Sequence, residues 1–581
     1  MKLLQGISGI LATLDRHPRR CMWGMTLFAV IYYVLISLQG FDFADEGFSL
    51  TFYQNIFTHP SDVEYLFLYY LSGLIGGIWE VLFGNWGNYA YRILFALTSG
   101  GIVLTTFAIL KPYFKTSTIV LSTLACVLYP GLCLHYFNHD CLTALLFLLT
   151  VYALTQGMNG KRWAWWSMGL FLALNTFTRT PNITLWILIF IPIIESIHTG
   201  NYSKAGHNIL RIIGGAFIGK VVVLTIMYLL GHITLFVSAI LSLFVMGGDS
   251  SDTHSITHLL GNYVGTYKNI ISVSIKVFIV CLIYIISIRH IKIKGIGLIV
   301  GIISIAFIYS LLSRNFYAMW GGVTAASIIY TLMHHRDTQR LTLGLSALTM
   351  LIVIPLGGDS YANICYSCMW LGMPLLINMF RYPIQWNISY NDEYQRSINI
   401  HTDKPTSRQL SIIAGTAFLL FVALHSNCYF DDGSRLGKLH RAQAYQATTF
   451  TTQERANIID DIVTHTTQHR AQGNYLLVFD NLPMLHYLTN MQPYLGSPWS
   501  TFWGNKMFEK KLFAAENSSR ELPLIAIPHF YYKDLSSTQY LDAQEHPELQ
   551  GKAKILLEFM QRNSYQEVFH NSHLTLYKVI E

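Results

Sequence analysis

Long apolar runs alternate with short polar connections through residue 425, and then the pattern stops. A helix needs about 20 residues to cross the hydrocarbon core of a bilayer. Runs near that length predict thirteen spans, at 22–39, 90–110, 117–134, 141–157, 163–178, 183–197, 211–231, 270–288, 295–312, 319–333, 341–356, 363–380 and 409–425. The first run follows Arg16, Arg19 and Arg20 and continues into a polar segment without a small-residue cleavage site, so it reads as a retained helix and not a signal peptide.

One further stretch, "YLFLYYLSGLIGGIWEVLFG" at 65–84, is apolar enough to span but carries Glu80 and four glycines. Charge asymmetry decides its reading, because Lys and Arg stay on the cytoplasmic side. If it does not cross, the inner connections hold most of the basic residues, from Lys2 and Arg16 through Lys111, Lys161, Arg289 and Arg336 to Arg408. The outer ones then hold only Arg92, Arg179, Lys268 and Arg314. If it crosses, every later loop changes sides. Residues 65–84 are therefore expected to form interfacial or re-entrant helices packed against the bundle.

An odd number of crossings places the C-terminus outside. Residues 426–581 carry 14 Lys or Arg against 16 Asp or Glu and no long apolar run, which predicts a soluble outer domain. Within it, "YLLVF" at 475–479 and "LIAI" at 524–527 read as strands, 553–562 as an amphipathic helix and the end as a hairpin. The expected fold is thus an α-helical polytopic membrane domain, 1–425, followed by a mixed α/β domain, 426–581.

Composition agrees. The chain is 52% hydrophobic and 12% charged, half the roughly 25% charge of a soluble domain, which excludes disordered, collagenous and disulfide-stapled classes. In so apolar a chain the net charge of +7 reflects basic loops on a membrane, and no nucleic-acid partner is expected. Eight cysteines are scattered; Cys365 and Cys368 read as helix packing, lacking a second pair or a redox context.

Candidate chemistry lies in the outer loops. Residues 40–89 contain Asp42, Asp45, Glu46, Asp62, Glu64 and Glu80, with no Lys or Arg before Arg92. In "FDFADEGF" the adjacent Asp45 and Glu46 project differently, so one carboxylate faces a cavity while the other makes structural hydrogen bonds; a solvated loop with capping acids is the plainer alternative. In "HYFNHD" Asp140 stands at the mouth of an apolar run, where an acid is costly unless paired or wet, although a helix cap would also explain it. His139 is a ligand or base candidate, or simply hydrogen-bonded. Arg179 in "TRTPN" and Arg314 in "SRNFYAMWGG" suit a phosphate, or equally lipid headgroups or the acids nearby. The connection at 232–269, with its "GGDSSDTHS" stretch, suits a mobile flap or an idle loop.

These features together resemble the C-type glycosyltransferase superfamily (GT-C), multi-pass enzymes that use polyprenyl-phosphate-linked sugars. The likeness rests on Asp45 and Glu46 after the first helix, "NYAYRILFAL" with Arg92, Asp140 in the second outer loop, and the "TRTPN" turn. The plan of thirteen helices plus an outer domain is similar to aminoarabinose and protein O-mannosyl transferases. The resemblance implies Asp45 as general base, Glu46 and Asp140 in the catalytic group, with Asp140 orienting acceptor or metal, and Arg92, Arg179 and Arg314 on the donor phosphate. It also implies inverting transfer to a lipid, glycan or protein acceptor at the periplasmic face of a bacterial inner membrane. Relatives differ in their need for a divalent cation such as Mg2+ or Mn2+; Asp45, Asp140 and His139 are the ligands on offer if one binds. "VFDNLPMLHYLTNMQPYLGSPW" matches no acceptor signature, and the WWD motif of oligosaccharyltransferases is missing, which favours transfer of a single sugar. A lipid-linked glycan flippase or transporter and a noncatalytic envelope-assembly protein are the competing classes.

Overall fold

The computed structural model describes residues 2–129, 135–248, 255–290, 296–314, 317–357, 368–381, 385–389, 397–401, 419, 421–422, 425–530 and 547–580. The chain is a multi-pass helical membrane protein with a C-terminal mixed sheet. Its helices are α1 (Lys2–Arg16), α2 (Pro18–Ile36), α3 (Asp45–Asn55), α4 (Tyr70–Phe83), α5 (Asn88–Leu110), α6 (Thr116–Leu128), α7 (His139–Met158), α8 (Arg162–Thr178), α9 (Phe190–Thr199), α10 (Tyr202–Leu229), α11 (Ile233–Gly248), α12 (Ile256–His290), α13 (Ile296–Arg314), α14 (Tyr317–Met333), α15 (Thr338–Leu348) and α16 (Gly372–Arg381). Pro60–Tyr69 and Thr180–Ile189 are 3₁₀ segments that lead into α4 and α9. Among the described residues, seven helical stretches are long and apolar enough to cross a bilayer, 60–86 among them. The expected span at 409–425 lies almost wholly outside the described residues, as do Cys365 and the start of the span at 363–380.

Two expectations change. The connection at 232–269 is not an open flap: 233–248 is helical, and α12 begins at Ile256 and runs 35 residues. At 1.5 Å per residue such a helix is about 52 Å long, well beyond the hydrocarbon core; the serine-rich stretch at 249–254 lies outside the described residues. Between the expected spans 363–380 and 409–425, β1 (Gln385–Ser389) and β2 (Ser397–His401) pair as an antiparallel hairpin.

Length alone allows 60–86 to span, but its contacts place it along one face. The end of α2 meets the start of α5 through Arg92 and the carbonyl of Ser37, so residues 40–87 leave and return on the same side. Both ends of 60–86 also touch the C-terminal domain: the Tyr65 N–H donates to the Gly496 carbonyl at 3.1 Å, and the Tyr445 hydroxyl to the Asn85 carbonyl at 3.1 Å.

In the C-terminal domain β3 (Tyr475–Val478), β4 (Gln492–Pro493), β5 (Leu524–Pro528), β6 (Tyr565–His570) and β7 (Leu574–Val579) form a sheet ordered β4-β3-β5-β7-β6. β3 is parallel to both neighbours, whereas β5–β7 and β6–β7 are antiparallel. The strands at 475 and 524 and the closing hairpin stand where alternation predicted them, and the helix Pro547–Arg562 contains the expected amphipathic stretch.

This domain grips the segment that leads into α3. The Gly40 N–H donates to the Phe450 carbonyl at 2.8 Å, and the Phe450 N–H returns the bond to Leu38 at 2.8 Å. The Met484 N–H donates to the Phe43 carbonyl at 2.9 Å. Beside them Arg455, fully buried, donates to the carbonyls of Phe41 and Phe430 and pairs with Asp431 and Asp432. Asp431 in turn accepts from the Phe41 N–H at 2.8 Å and pairs with buried Lys438. Buried charges are tolerated when paired, and here each buried charge has a counter-ion around one short strip of chain.

Candidate functional site

The acidic loop folds because one of its acids is spent on capping. Asp42 accepts from the Ala44 N–H at 2.8 Å and the Glu46 N–H at 2.9 Å, which closes the open first turn of α3. Burial, then the nearby Asp45, raise the Asp42 carboxyl well above its ordinary range, against the pull of those two N–H groups.

Glu46, one position into α3, turns inward and is fully buried. Arg92 clasps it with two parallel bonds, Nε to Oε1 at 2.9 Å and Nη2 to Oε2 at 2.7 Å. The remaining Arg92 nitrogen donates to the carbonyls of Ser37 at 2.9 Å and Gln39 at 3.3 Å. The fork therefore ties the end of α2, the start of α5 and α3 together. Every nitrogen of Arg92 donates to protein, and Glu46 is fully buried beneath it.

The other acids find cations that the loop itself does not carry. Asp62 pairs with Arg520 at 2.7 Å and Glu64 with Lys511 at 3.3 Å, both from the C-terminal domain. Glu80 accepts from the Tyr91 hydroxyl. Asp45 differs: it is half-buried, and its Oδ2 accepts from the Tyr429 hydroxyl at 2.9 Å. Burial and the neighbouring Asp45 and Asp42 hold the Tyr429 phenol far above its usual range, so it stays a donor. Sequence reasoning missed Tyr429. Its one signal is its place just after the last expected span, which returns it to the surface that the outer loops share.

The second loop arrives from α7. Asn138, not Asp140, caps this helix: its side chain accepts from the N–H groups of Asp140 and Cys141, each at 3.0 Å. The capping explanation for Asp140 is thereby removed. The Phe137 N–H donates to Tyr91 and its carbonyl accepts from the Tyr53 hydroxyl, so the loop is seated between α3 and α5. Tyr136 comes close enough to Asp45 and Asp42 that they, after burial, raise its phenol well above the usual range.

Asp140, 22% exposed at its side chain, has His139 Nε2 at 3.6 Å and Arg179 Nη1 at 3.7 Å from the same oxygen. The Arg179 side chain is 6% exposed. Pro181 lies in the first turn of 180–189, where its missing N–H costs nothing. Asn182 donates to Thr143 and to the Asn175 side chain, each at 2.8 Å, and the Thr180 hydroxyl donates to the Leu68 carbonyl at 3.1 Å. These bonds press the "TRTPN" turn onto α7 and the 60–69 segment, and so aim Arg179 at Asp140. An aromatic path links the two acids: Phe48, one turn past Asp45, meets Tyr69 at 6.4 Å, and Tyr69 stacks on His139 at 4.2 Å.

Arg314 closes α13, and its side chain lies outside the described residues. Lys220 lies over the Trp186 ring at 5.3 Å. Among the described residues no three His, Cys, Asp or Glu side chains gather as a metal-binding set; Asp45, Asp140 and His139 do not form one.

No family description and no curated protein matches the chain. Solved structures to which it is similar include the following two. Archaeal oligosaccharyltransferase AglB from Archaeoglobus fulgidus, in complex with an inhibitory peptide and a dolichol-phosphate, is 11% identical at a TM-score of 0.42, covering 87% of this chain and 69% of its own. ArnT from Cupriavidus metallidurans, bound to undecaprenyl phosphate, is 10% identical at a TM-score of 0.38, covering 96% and 97%.

Proposed function

We propose that the chain is an integral-membrane glycosyltransferase that moves a sugar, with inversion, from a polyprenyl-phosphate donor to an acceptor at the face bearing the C-terminal domain. In this reading the membrane is a bacterial inner membrane and that face is periplasmic. What supports it is the run of ring contacts from Phe48, one turn past Asp45, through Tyr69 to His139 beside Asp140, together with the two different settings of the acids: Asp45 held by a phenol and Asp140 beside a buried arginine.

A lipid-phosphate sugar presents its anomeric carbon just above the bilayer with phosphate as the leaving group. The acceptor oxygen attacks that carbon, the bond to the phosphate oxygen breaks, and the acceptor proton must leave. Asp45 takes that proton as general base, with Tyr429 fixing its orientation. Arg179 stabilises the charge growing on the phosphate, and Asp140 holds Arg179 and the acceptor in place. Glu46 and Arg92 have no chemical step; they set the angle at which α3 presents Asp45.

Turnover of a radiolabelled polyprenyl-phosphate sugar by purified Asp45→Asn protein is the direct test. A fall of about 10²–10⁴ is expected on removing a general base; activity within a few fold of the parent takes Asp45 out of the mechanism.

A further inference from the structure

Among its described residues the C-terminal domain exposes six large apolar side chains, Leu436, Leu439, Tyr445, Phe513, Leu557 and Ile580. The first three fall within ten residues of one another, and all three adjoin the ends of membrane helices. Leu436 is 88% exposed and Leu439 69%, high values for leucines.

Their loop is anchored rather than dangling. Arg435 Nη1 donates to the Ile36 carbonyl at 3.0 Å, the last residue of α2. Gln39 Nε2 donates to the carbonyls of Arg435 and Lys438, each at 3.0 Å. The Ser434 side chain accepts from the Leu436 N–H, and the Lys438 ammonium is buried on Asp431. With residues 435 and 438 bonded to the chain at the end of α2, the side chains of 436 and 439 remain exposed beside it.

What lies outside is set by α2. Leu27, Ile31 and Leu35 recur every four residues and are 60%, 49% and 60% exposed, a single stripe on a membrane helix and hence its lipid face. The loop begins one residue beyond the top of that stripe. Nearby, the Tyr445 hydroxyl is bonded to Asn85 next to Trp86, which is 53% exposed; Tyr and Trp favour the headgroup level.

We infer that the loop 434–440 is a membrane wedge: Leu436 and Leu439 enter the leaflet beneath the C-terminal domain, next to α2, and fasten the domain to the lipid surface. Because the same clamp holds residues 36–39, which lead directly into the acidic loop, the lipid surface also sets the height of that loop. An amphipathic element seated at an interface reaches roughly 5–10 Å into the headgroup and acyl boundary, about the depth of a leucine side chain pair projecting from a short turn. The inference needs α2 to cross the membrane and does not depend on glycosyl transfer.

The test uses full-length protein in phosphatidylethanolamine–phosphatidylglycerol vesicles, with an environment-sensitive fluorescent amino acid in place of Leu436. A second protein carries it in place of Leu557, which is 55% exposed on a helix face shared with the solvated Lys554–Glu558 pair. Lipids bearing a nitroxide high on the acyl chain are expected to quench the label at 436 about twofold or more, at the depth such a wedge reaches, and to leave the label at 557 unchanged. If the label at 436 prevents folding, the same label at Leu439 answers the question. Quenching of 436 by aqueous iodide but not by nitroxide lipid overturns the inference, and shielding from both overturns it too, because a protein surface then covers the loop. Neither outcome bears on whether Asp45 is a base, which donor turnover reads separately.

Discussion

The two acid–arginine pairs at this membrane face are built in opposite ways. Glu46 and Arg92 meet through two bonds of 2.7 and 2.9 Å with Glu46 fully buried, and the third nitrogen of the fork is absorbed by carbonyls. Asp140 and Arg179 stand 3.7 Å apart, with the carboxylate partly exposed and a histidine beside it. A saturated pair has no capacity left for a ligand, and a loose one gains from binding one. In the proposed reaction the first pair is scaffold for α3, and the second is the one that would meet the charge of the donor.

Breaking the saturated pair has the largest expected effect. Glu46→Ala leaves a buried guanidinium without its counter-ion, which costs about 3–5 kcal/mol, read as a lowered unfolding midpoint in detergent. Arg92→Lys keeps the charge but loses the planar fork and should recover only part of that stability. Unfolding midpoints of both variants within error of the parent would mean that the two pairs do not differ as described.

The loose pair should respond the other way round. Arg179→Gln is expected to lower turnover by about 10²–10³, the size of losing one charge-stabilising donor in a transition state, with the unfolding midpoint nearly unchanged. A large loss of stability with unchanged turnover per folded molecule would make Arg179 a second scaffold residue.

Gly47 sharpens the comparison from the scaffold side. A Cβ placed there would stand 2.2 Å from the Met484 backbone nitrogen, and main chain on both sides leaves little room to yield. Gly47→Ala should cost about 1–3 kcal/mol by overpacking, seen as protease sensitivity of the C-terminal domain. It should also reduce turnover, because α3 and the domain separate together. Loss of turnover with the domain still protected would place the fault within α3 alone.

How far this was legible in the sequence depends on the range of the interaction. The apolar helices, the interfacial reading of 65–84 and the strands at 475 and 524 follow from local apolar pattern and charge bias, and these are visible residue by residue. The division of labour between Asp45 and Glu46 was half visible: adjacent side chains diverge, but which one meets Arg92 depends on how α2 and α5 cross. Tyr429, Arg455, Lys511 and Arg520 were invisible as partners of the acidic loop, since they act across more than 380 residues of chain, as in the Tyr429–Asp45 bond. The acidic loop looks unneutralised when read alone because its cations are folded in from elsewhere. The glycines and serines just after 233–248 suggest a flap or an idle loop for the whole connection and mask the helix that its apolar stretch forms.

The smallest expected effect concerns Asp42, which links scaffold to site. Burial and the Asp45 charge raise its carboxyl above the ordinary value, about 3.9 in an unfolded chain. The folded loop therefore holds its proton more tightly than the unfolded chain does. The associated stability is fully present below the unfolded value and is lost as pH rises through the raised folded one, at no more than about 1.4 kcal/mol per pH unit. Hydrogen exchange at the Glu46 and Phe48 amides, corrected for its intrinsic pH dependence, should show α3 loosening across that window. Asp42→Asn retains an oxygen to accept one of the two capping N–H bonds but has no proton to lose, so its exchange should be flat there. An equal slope in parent and variant would place the titrating group elsewhere in the loop, with Asp45 the next carboxylate to substitute.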